Sequence, residues 1–420
     1  MHDTPLVILA AGQSSRFFPL ANDHHKGFCA VAGKPLISHT LENAYRAGVR
    51  TVFVVVSPQD SLIAGQLVTG LPTDFTISIV TQPMPLGMGD ALLQLQPQLP
   101  QHFFVVSPYH VTSGPILKSL QKKQRATQCS CVLAGEVTAH PKRYGIIEYA
   151  DDRVTRVIEK PTPSDTTSRM KISSVYLLNS EYLQALAATK QSEYNFEVAL
   201  NEYVQQANVC WIENSQQLPT LKYAWQLLDL MQLLLAQQQP KRAATAVIAK
   251  TAILNEANGP VVLADHAEIR DFAKIIGPAY IGEHALIGEY SFVRQSALEY
   301  GARVGAYTEV VRSLLHPEAT IHQSYLADSI LGPKTTIGAG LITANKRFDR
   351  AIIEPVVKGV AVTSEKAALG LITGNEVVLG ARVTSMPGTL VGSGSSIYPQ
   401  QTISGTLAKH TKYKTNREDS

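Results

Sequence analysis

The chain of 420 residues contains few cysteines, few tryptophans and few charged residues. The four cysteines are Cys29, Cys129, Cys131 and Cys210, and they show no paired CxxC pattern. No signal-peptide pattern precedes Leu6. We therefore expect four reduced cysteines and a cytoplasmic protein.

Charged residues make up 17% of the chain, and the formal net charge is only +3. A charge this small and scattered predicts no nucleic-acid partner. The longest apolar stretch, 225–236, is interrupted by Gln226, Asp229 and Gln232, which indicates a packed amphipathic helix and no membrane span. Hydrophobic residues at 45% are typical of a soluble globular protein.

A chain of this length predicts two domains. Up to about residue 240, short apolar runs at 52–56, 76–80, 103–106 and 130–134 alternate with helical patterns, which favours a mainly parallel α/β sheet. Residues 143–160 alternate with period two around Asp151-Asp152 and predict a hairpin. A helix over 221–239 and a linker at 237–242 then close the first predicted domain, 1–240.

Beyond the linker, aliphatic residues recur every six positions. The unbroken run is Leu263, Ile269, Ile275, Ile281, Ile287 and Val293. This period is typical of a hexapeptide β-helix, in which about three hexads form one triangular coil. The period lapses over 344–369, where we expect an inserted loop, and the predicted domain is 241–408, followed by a flexible tail at 409–420.

The stretch from Val7 to Leu20 reads as a buried strand that runs into a small-residue turn. Small side chains at Ala10, Ala11 and Gly12 let a ligand approach the main-chain amides, and Arg16 adds a cation suited to phosphate. The pattern predicts a nucleotide site. Alone it is equally typical of a tight turn between a strand and a helix.

Together with Lys26 and the sequence GKPLI at 33–37, this stretch resembles the opening of the sugar-phosphate nucleotidylyltransferases. The resemblance implies a Rossmann-like sheet, transfer of a nucleotidyl group to a sugar 1-phosphate, Mg²⁺, and UTP or dTTP as the nucleoside triphosphate. It assigns nucleotide binding to Ala10, Ala11, Gly12, Arg16, Lys26, Gln82 and Gly87, with Arg16 and Lys26 also catalytic. It assigns the sugar and its phosphate to Glu159 and Lys160.

The expected metal ligands depart from that family pattern. An aspartate should end the strand at 103–106, but the strand runs into Ser107, Pro108, Tyr109 and His110. A second acid is expected just before the helix at 221–239, and Glu213 is the nearest one. Mg²⁺ prefers hard oxygen ligands, so we expect nucleotide binding without an assigned metal site.

The segment HQSYLAD at 322–328, with ILGPKTTIGAGLITANKRFD after it, resembles the acetyltransferase half of bifunctional enzymes that acetylate glucosamine-1-phosphate and uridylylate its N-acetyl product. That resemblance implies a left-handed winding, acetyl-CoA as co-substrate and a homotrimer. It implies His322 as general base, Arg294 at the sugar phosphate, and Tyr325 and Asn345 at the sugar and acetyl group. The lysine expected after Arg294 is replaced near Arg312, and the basic-KLG element reads AALG at 367–370.

Three functions stay open at this point. The first is an enzyme of amino-sugar nucleotide synthesis that acetylates, nucleotidylates or does both. The second is a nucleotidylyltransferase for glucose- or mannose-type substrates, and the third is a non-catalytic protein that binds nucleotide sugars or acts as a scaffold. The alternative for His322 is an exposed structural histidine on a β-helix that serves only assembly.

Overall fold

The computed structural model describes residues 1, 3–20, 24–215 and 218–414. Contacts divide the chain into two units. Unit 1 comprises Met1–Gln13 and Leu36–Leu218, and unit 2 comprises Ser14–Pro35 and Pro219–Ser420. The segment 14–35 thus groups with the C-terminal part of the chain, and the sequence-based domain boundary at residue 240 stays a prediction.

The first eleven strands, in chain order, are β1 Leu6–Ala10, β2 Ala30–Val31, β3 Lys34–Pro35, β4 Thr51–Val56, β5 Thr76–Thr81, β6 His102–Val106, β7 Cys131–Val137, β8 Gly145–Ala150, β9 Arg153–Glu159, β10 Met170–Asn179 and β11 Val209–Glu213. The α-helices are α1 Leu36–Ala47, α2 Ser61–Gly65, α3 Met88–Leu93, α4 Gly114–Thr127, α5 Ser180–Ala188, α6 Asn195–Gln206 and α7 Leu227–Gln237. Short 3-10 helices lie at Lys26–Phe28, Pro58–Asp60, Gln66–Val68, Gln96–Gln98, Pro141–Arg143 and Ala224–Gln226.

Unit 1 contains one sheet with the strand order β5-β4-β1-β6-β10-β7-β11-β9-β8. The strands β5, β4, β1 and β6 are mutually parallel, as the alternation of strands and helices predicts. The strand β10 is antiparallel to both β6 and β7, so the sheet is mixed at its centre. The predicted hairpin is confirmed by β8 and β9, which pair antiparallel across the turn at Asp151. The carboxyl ends of the parallel strands therefore meet at one edge, where ligands bind in open α/β sheets.

Cys129 and Cys210 are joined as a disulfide in unit 1, with their Cα atoms 5.9 Å apart. The expectation of four reduced cysteines is wrong for this pair, while Cys29 and Cys131 are free. The physical reason is that β7 and β11 are neighbours, with Cys210 opposite Val132. This pairing joins residues separated by 81 positions and has no local signature.

Unit 2 is dominated by a three-sided parallel β-helix, consistent with the left-handed winding that the resemblance implies. The first stack is Lys241–Arg242, Val261–Leu263, Ala279–Ile281, Ala297–Leu298, Leu314–Leu315, Ile330–Leu331, Ile372–Thr373, Leu390–Val391 and Thr406–Leu407. The second is Val247–Ile248, Glu268–Ile269, Leu286–Ile287, Arg303–Val304, Thr320–Ile321, Thr336–Ile337, Val378–Leu379, Ser396–Ile397 and Lys412–Tyr413. The third is Ile253–Asn255, Lys274–Ile276, Phe292–Arg294, Glu309–Val311, Tyr325–Ala327, Ile342–Thr343, Thr384–Ser385 and Thr402–Ile403.

The hexad aliphatics fill the interior of this β-helix. Leu263, Ile269, Ile275, Ile281, Ile287 and Val293 are at most 1% exposed and belong to one hydrophobic cluster. Each inward residue lies over its counterpart in the next coil, as Ile269 does over Ile287. Many corners between the stacks use residues with positive φ, such as Tyr290 at 57° and Arg312 at 46°. The backbone strain at these corners is outweighed by burial of a continuous aliphatic column.

The winding of the chain is interrupted after Ile342–Thr343, where the period lapses, although this strand still pairs with Thr384–Ser385 of the next coil. Between Ile342–Thr343 and the next coil, the chain forms an antiparallel hairpin of Val356–Val357 and Val360–Ala361, which confirms the predicted insertion. At the C-terminal end, Lys412–Tyr413 pairs with Ser396–Ile397, so the part of the predicted tail up to residue 414 carries a strand of the second stack. The remainder of that predicted tail, 415–420, lies outside the described residues. Within the described part of the chain, no helix is both long and apolar enough to cross a membrane.

Candidate functional site

The first group of predicted site residues lies at the carboxyl edge of the unit 1 sheet. Ala10 ends β1 opposite Val56 of β4, and the amide of Gln82 donates to the carbonyl of Val56 at 2.8 Å. Ala10 and Ala11 are buried, whereas Gly12 is exposed. The structure therefore brings the small-residue turn and Gln82 to neighbouring strand ends of one unit.

The side chain of Gln82 is fixed by the start of α3. Its Nε2 donates to the Gly87 carbonyl at 3.1 Å and to Asp90 Oδ2 at 2.7 Å, and the residue is 3% exposed. Gly87 has a φ of 101°, and a Cβ there would lie 2.7 Å from the Glu193 carbonyl oxygen. Only glycine fits this position, so the loop conformation on which the resemblance depends requires Gly87.

The end of β6 does not present a magnesium ligand set. Ser107, Tyr109 and His110 follow the strand, and His110 is buried with its Nδ1 3.4 Å from the Ser107 amide. Glu213 ends β11 opposite Gly135 and is exposed. In the described ranges, no group of three or more His, Cys, Asp or Glu side chains is arranged to hold a metal ion. Because this strand end offers a phenol and an imidazole and no carboxylate, it does not fit Mg²⁺.

Glu159 and Lys160 lie beside Tyr144 and Tyr194. The Lys160 Nζ is 3.5 Å from Glu159 Oε1 and 3.4 Å from the Tyr194 hydroxyl, and it also lies over the Tyr194 ring. Burial opposes the charge of Lys160, but the Tyr194 hydrogen bond and the Glu159 carboxylate outweigh it and raise its pKa. Lys160 is thus a stable cation next to an acceptor of hydroxyl groups, which fits a sugar phosphate.

Glu197, in the first turn of α6, is a residue that sequence reasoning missed. Burial, with a smaller contribution from the neighbouring Glu159, raises its pKa to about 7 against the opposing effects of a backbone hydrogen bond and Lys160. Its Oε2 atom has no hydrogen-bond partner within the described part of the chain. A carboxyl group close to half protonation can donate or accept a hydrogen bond, so Glu197 belongs to the same candidate sugar site. No local pattern marks it, because α6 reaches β9 only through the tertiary fold.

Arg16 and Lys26 belong to unit 2 and are described there. Arg16 is exposed in a turn, and Lys26 opens the 3-10 helix Lys26–Phe28 with its amide donating to Ser14 Oγ at 3.2 Å. Both cations therefore lie in the segment 14–35 of unit 2.

The predicted acetyltransferase residues occupy the third stack of the β-helix and its corners. Arg294 ends the strand Phe292–Arg294, its guanidinium lies 5.9 Å from the Phe292 ring centroid, and its Nε has no hydrogen-bond partner among the described residues. It borders a cavity of about 330 Å³ that is also lined by Asn258, Ile276, Gly277, Phe292 and Gln295. A cation with an unused N–H beside a cavity of this size fits an anionic group.

A second cation lies one coil further. Arg312 donates from Nε and Nη2 to the two carboxylate oxygens of Asp328 at 2.6 and 2.7 Å, and Asn345 Nδ2 donates to the same carboxylate at 2.5 Å. The Asp328 hydrogen bond raises the pKa of Arg312. Asp328 is 6% exposed and was not assigned a role from the sequence. It connects Arg312 to Asn345, both of which the resemblance places at the acetyltransferase site.

His322 is exposed in the corner that precedes the strand Tyr325–Ala327, whereas Asp328 lies in the corner that follows this strand. The three residues of this strand separate the two corners by about 10 Å at the usual rise of a strand. Tyr325 pairs with Glu309 of the preceding coil and Ile342 of the following one. One face thus carries a base at one end, cations at the other, and a tyrosine between them.

The sequence match assigns the chain to a family. The nucleotidyl transferase model matches residues 6–226, more than half of the chain, so the protein belongs to the nucleotidyl transferase family. Among solved structures, the UDP-glucose pyrophosphorylase from Acinetobacter baumanii has 19% identity and a TM-score of 0.49, covering 56% of this chain and 93% of that one.

Curated relatives match over nearly the whole length. The "Bifunctional sugar-1-phosphate nucleotidylyltransferase/acetyltransferase" of Sulfurisphaera tokodaii is 28% identical over 93% of this chain and 95% of its own length. The "Bifunctional protein GlmU" of Methanococcus vannielii is 27% identical over 93% of this chain and 92% of its own. The protein of the same name in Xylella fastidiosa is 25% identical over 92% of both chains. The similarity therefore extends through the β-helix as well as the nucleotidyl transferase region.

Proposed function

We propose that the β-helix transfers an acetyl group from acetyl-CoA to the amine of an amino sugar 1-phosphate. The observation that carries this is the third-stack face, which holds the exposed imidazole of His322, Tyr325 in the same coil, and the incompletely hydrogen-bonded guanidinium of Arg294 two coils earlier. The names of the bifunctional relatives support the same reaction.

In this reaction the sugar amine attacks the thioester carbonyl carbon, the carbon–sulfur bond breaks, and coenzyme A leaves as the thiol. His322 accepts the proton that the amine must lose, because histidine is the most common general base in enzymes. Arg294 holds the sugar phosphate in the cavity beside it. Asn345, fixed by Asp328, and Tyr325 orient the sugar and the acetyl group.

The nucleotidyl transferase half, in this proposal, binds UTP or dTTP and a sugar 1-phosphate but transfers the nucleotidyl group only weakly. Family membership and a loop conformation that requires glycine at position 87 support nucleotide binding. The end of β6 supports weak transfer, because Tyr109 stands where this family is expected to place a carboxylate for Mg²⁺. We infer a cytoplasmic location because acetyl-CoA and nucleoside triphosphates are made and used there.

The experiment measures release of free thiol from acetyl-CoA with glucosamine-1-phosphate as acceptor. Positioned general-base catalysis contributes about 10²–10⁴-fold, so His322→Ala should reduce turnover by that factor with little change in folding. His410→Ala is the matched control, since His410 is also an exposed corner histidine. Equal activity of wild type and His322→Ala would refute the assigned base. Inactivity of the wild type with glucosamine- and galactosamine-1-phosphate would refute the acetyltransferase.

We also propose a homotrimer formed through residues 250–400. β-helices with flat faces assemble side by side, and the acetyltransferases that this one resembles complete their sites between neighbouring copies. Light scattering at micromolar concentration should give the mass of three chains. A monomer would count against both the trimer and the acetyl transfer, because part of each site would be missing.

A further inference from the structure

The hairpin β2–β3 carries a tight turn that lies against the β-helix. Ala30 pairs with Pro35 and Val31 with Lys34, which leaves Ala32 and Gly33 as the turn, with φ values of 53° and 90°. Two consecutive residues with positive φ are typical of a type I′ turn. The amides of this turn point outward from the hairpin, so another part of unit 2 can bind them.

That partner is Glu299, which follows the strand Ala297–Leu298. Its side chain is 1% exposed, and Oε2 accepts a hydrogen bond from the Gly33 amide at 2.9 Å. Its Oε1 has no partner among the described residues. A buried carboxyl with one unbonded oxygen costs folding free energy, so simple packing would be served better by an apolar residue. What the acid adds is its hydrogen bond to the Gly33 amide of the turn.

The contact also depends on glycine at position 33. A Cβ at Gly33 would overlap the hydroxyl group of Tyr280, which lies in the preceding coil of the same stack. The turn is thus seated on Tyr280 and bonded by Glu299, so its position relative to the β-helix is well defined.

A second contact fixes the other end of the segment 14–35. Lys358, in the turn of the inserted hairpin, donates from Nζ to Ser15 Oγ at 2.9 Å. The Pro19 carbonyl oxygen lies 2.7 Å from the position that a Cβ on Gly374 would take, so the chain passes close to the β-helix there as well. Arg16 and Lys26 are therefore located between two attachments to the β-helix.

We propose that Glu299 is a positioning residue for the nucleotide: by bonding the Ala32–Gly33 turn it fixes the segment 14–35 and thereby the Arg16 and Lys26 side chains. The proposal rests on the proposed function in one respect, that Arg16 and Lys26 contact the triphosphate. It makes the β-helix part of the apparatus for nucleotide binding as well as the site of acetyl transfer.

The test compares Glu299→Leu, which removes the hydrogen bond to the Gly33 amide, with Glu299→Gln, which keeps the shape and one acceptor. Glu289→Leu is the control, since Glu289 is an exposed acid on the same β-helix. Binding of UTP is measured by calorimetry, and limited trypsin digestion with mass spectrometry follows cleavage after Arg16 and Lys26. We expect about tenfold weaker UTP binding and faster cleavage in Glu299→Leu, with binding largely restored in Glu299→Gln and acetyl transfer unchanged in both.

Equal UTP affinity and equal cleavage rates in Glu299→Leu and Glu289→Leu would overturn the proposal. Faster cleavage with unchanged UTP affinity would also overturn it, because the segment would then move without affecting the nucleotide. If wild-type protein binds no UTP, the nucleotide part of the proposed function fails, and the positioning role fails with it. In that case cleavage rates still decide whether Glu299 fixes the segment. If Glu299→Leu does not fold, Glu299→Asp, whose side chain is one methylene shorter, takes its place and is compared with Glu299→Gln and Glu289→Leu in the same way.

Discussion

Replacing Asp328 with asparagine should weaken both the β-helix and the acetyltransferase site. Asp328 accepts two hydrogen bonds from Arg312 and one from Asn345, and it is almost fully buried. Hydrogen bonds to a charged group contribute about 1.5–3 kcal/mol. The Arg312 side chain is 34% exposed, and the water that reaches it reduces this contribution. We therefore expect Asp328→Asn to lower the free energy of unfolding by about 2 kcal/mol.

A double-mutant cycle with Arg312→Gln isolates the pair. Denaturant unfolding of the wild type, both single variants and the double variant should give a coupling free energy of about 1–2 kcal/mol. The pair Arg347 and Asp349 is the control, because its atoms are also 2.7 Å apart while its side chains are 50% and 55% exposed. Its coupling should be much weaker, because water screens an exposed pair. Equal coupling in the two pairs would refute the reasoning that burial decides the strength of the Arg312–Asp328 pair.

Three further predictions follow from the site. Arg294→Ala should raise the KM for the sugar phosphate with a smaller effect on kcat, as steady-state kinetics would show, since it removes a charge-assisted phosphate contact; an unchanged KM would contradict this role. Pyrophosphate release from UTP should be slow and insensitive to added Mg²⁺, while calorimetry should still detect UTP binding. The variant Tyr109→Asp should make the release respond to Mg²⁺. Robust Mg²⁺-dependent release by the wild type would disprove that Tyr109 occupies the position of the metal-binding carboxylate. Burial raises the pKa of Glu299 from 4.5 to about 7, so its stabilising contribution is fully present below pH 4.5 and is lost as the pH rises through 7. The free energy of unfolding, measured between pH 5 and 8, should show this loss in the wild type and not in Glu299→Gln. The same dependence of this free energy on pH in both proteins would contradict the prediction.

The sequence alone determined the architecture because its signals are local. A six-residue aliphatic period specifies a β-helix within each coil, and the interior cluster contains the residues that the period identifies. The period-two alternation around Asp151 likewise specified the β8–β9 hairpin. The loop signatures at 7–20 and 82–91 predicted the family because each signature consists of residues that are close together in the sequence.

Only the tertiary structure decided which distant residues meet. Glu299 and Gly33 are separated by 266 positions, and their hydrogen bond joins the segment 14–35 to the β-helix. The disulfide of Cys129 with Cys210, the raised pKa of Glu197 and the bonds from Arg312 and Asn345 to Asp328 are of the same kind. Each depends on burial and on the register between strands or coils. Register is set by the packing of the whole core, so no window of sequence contains the information.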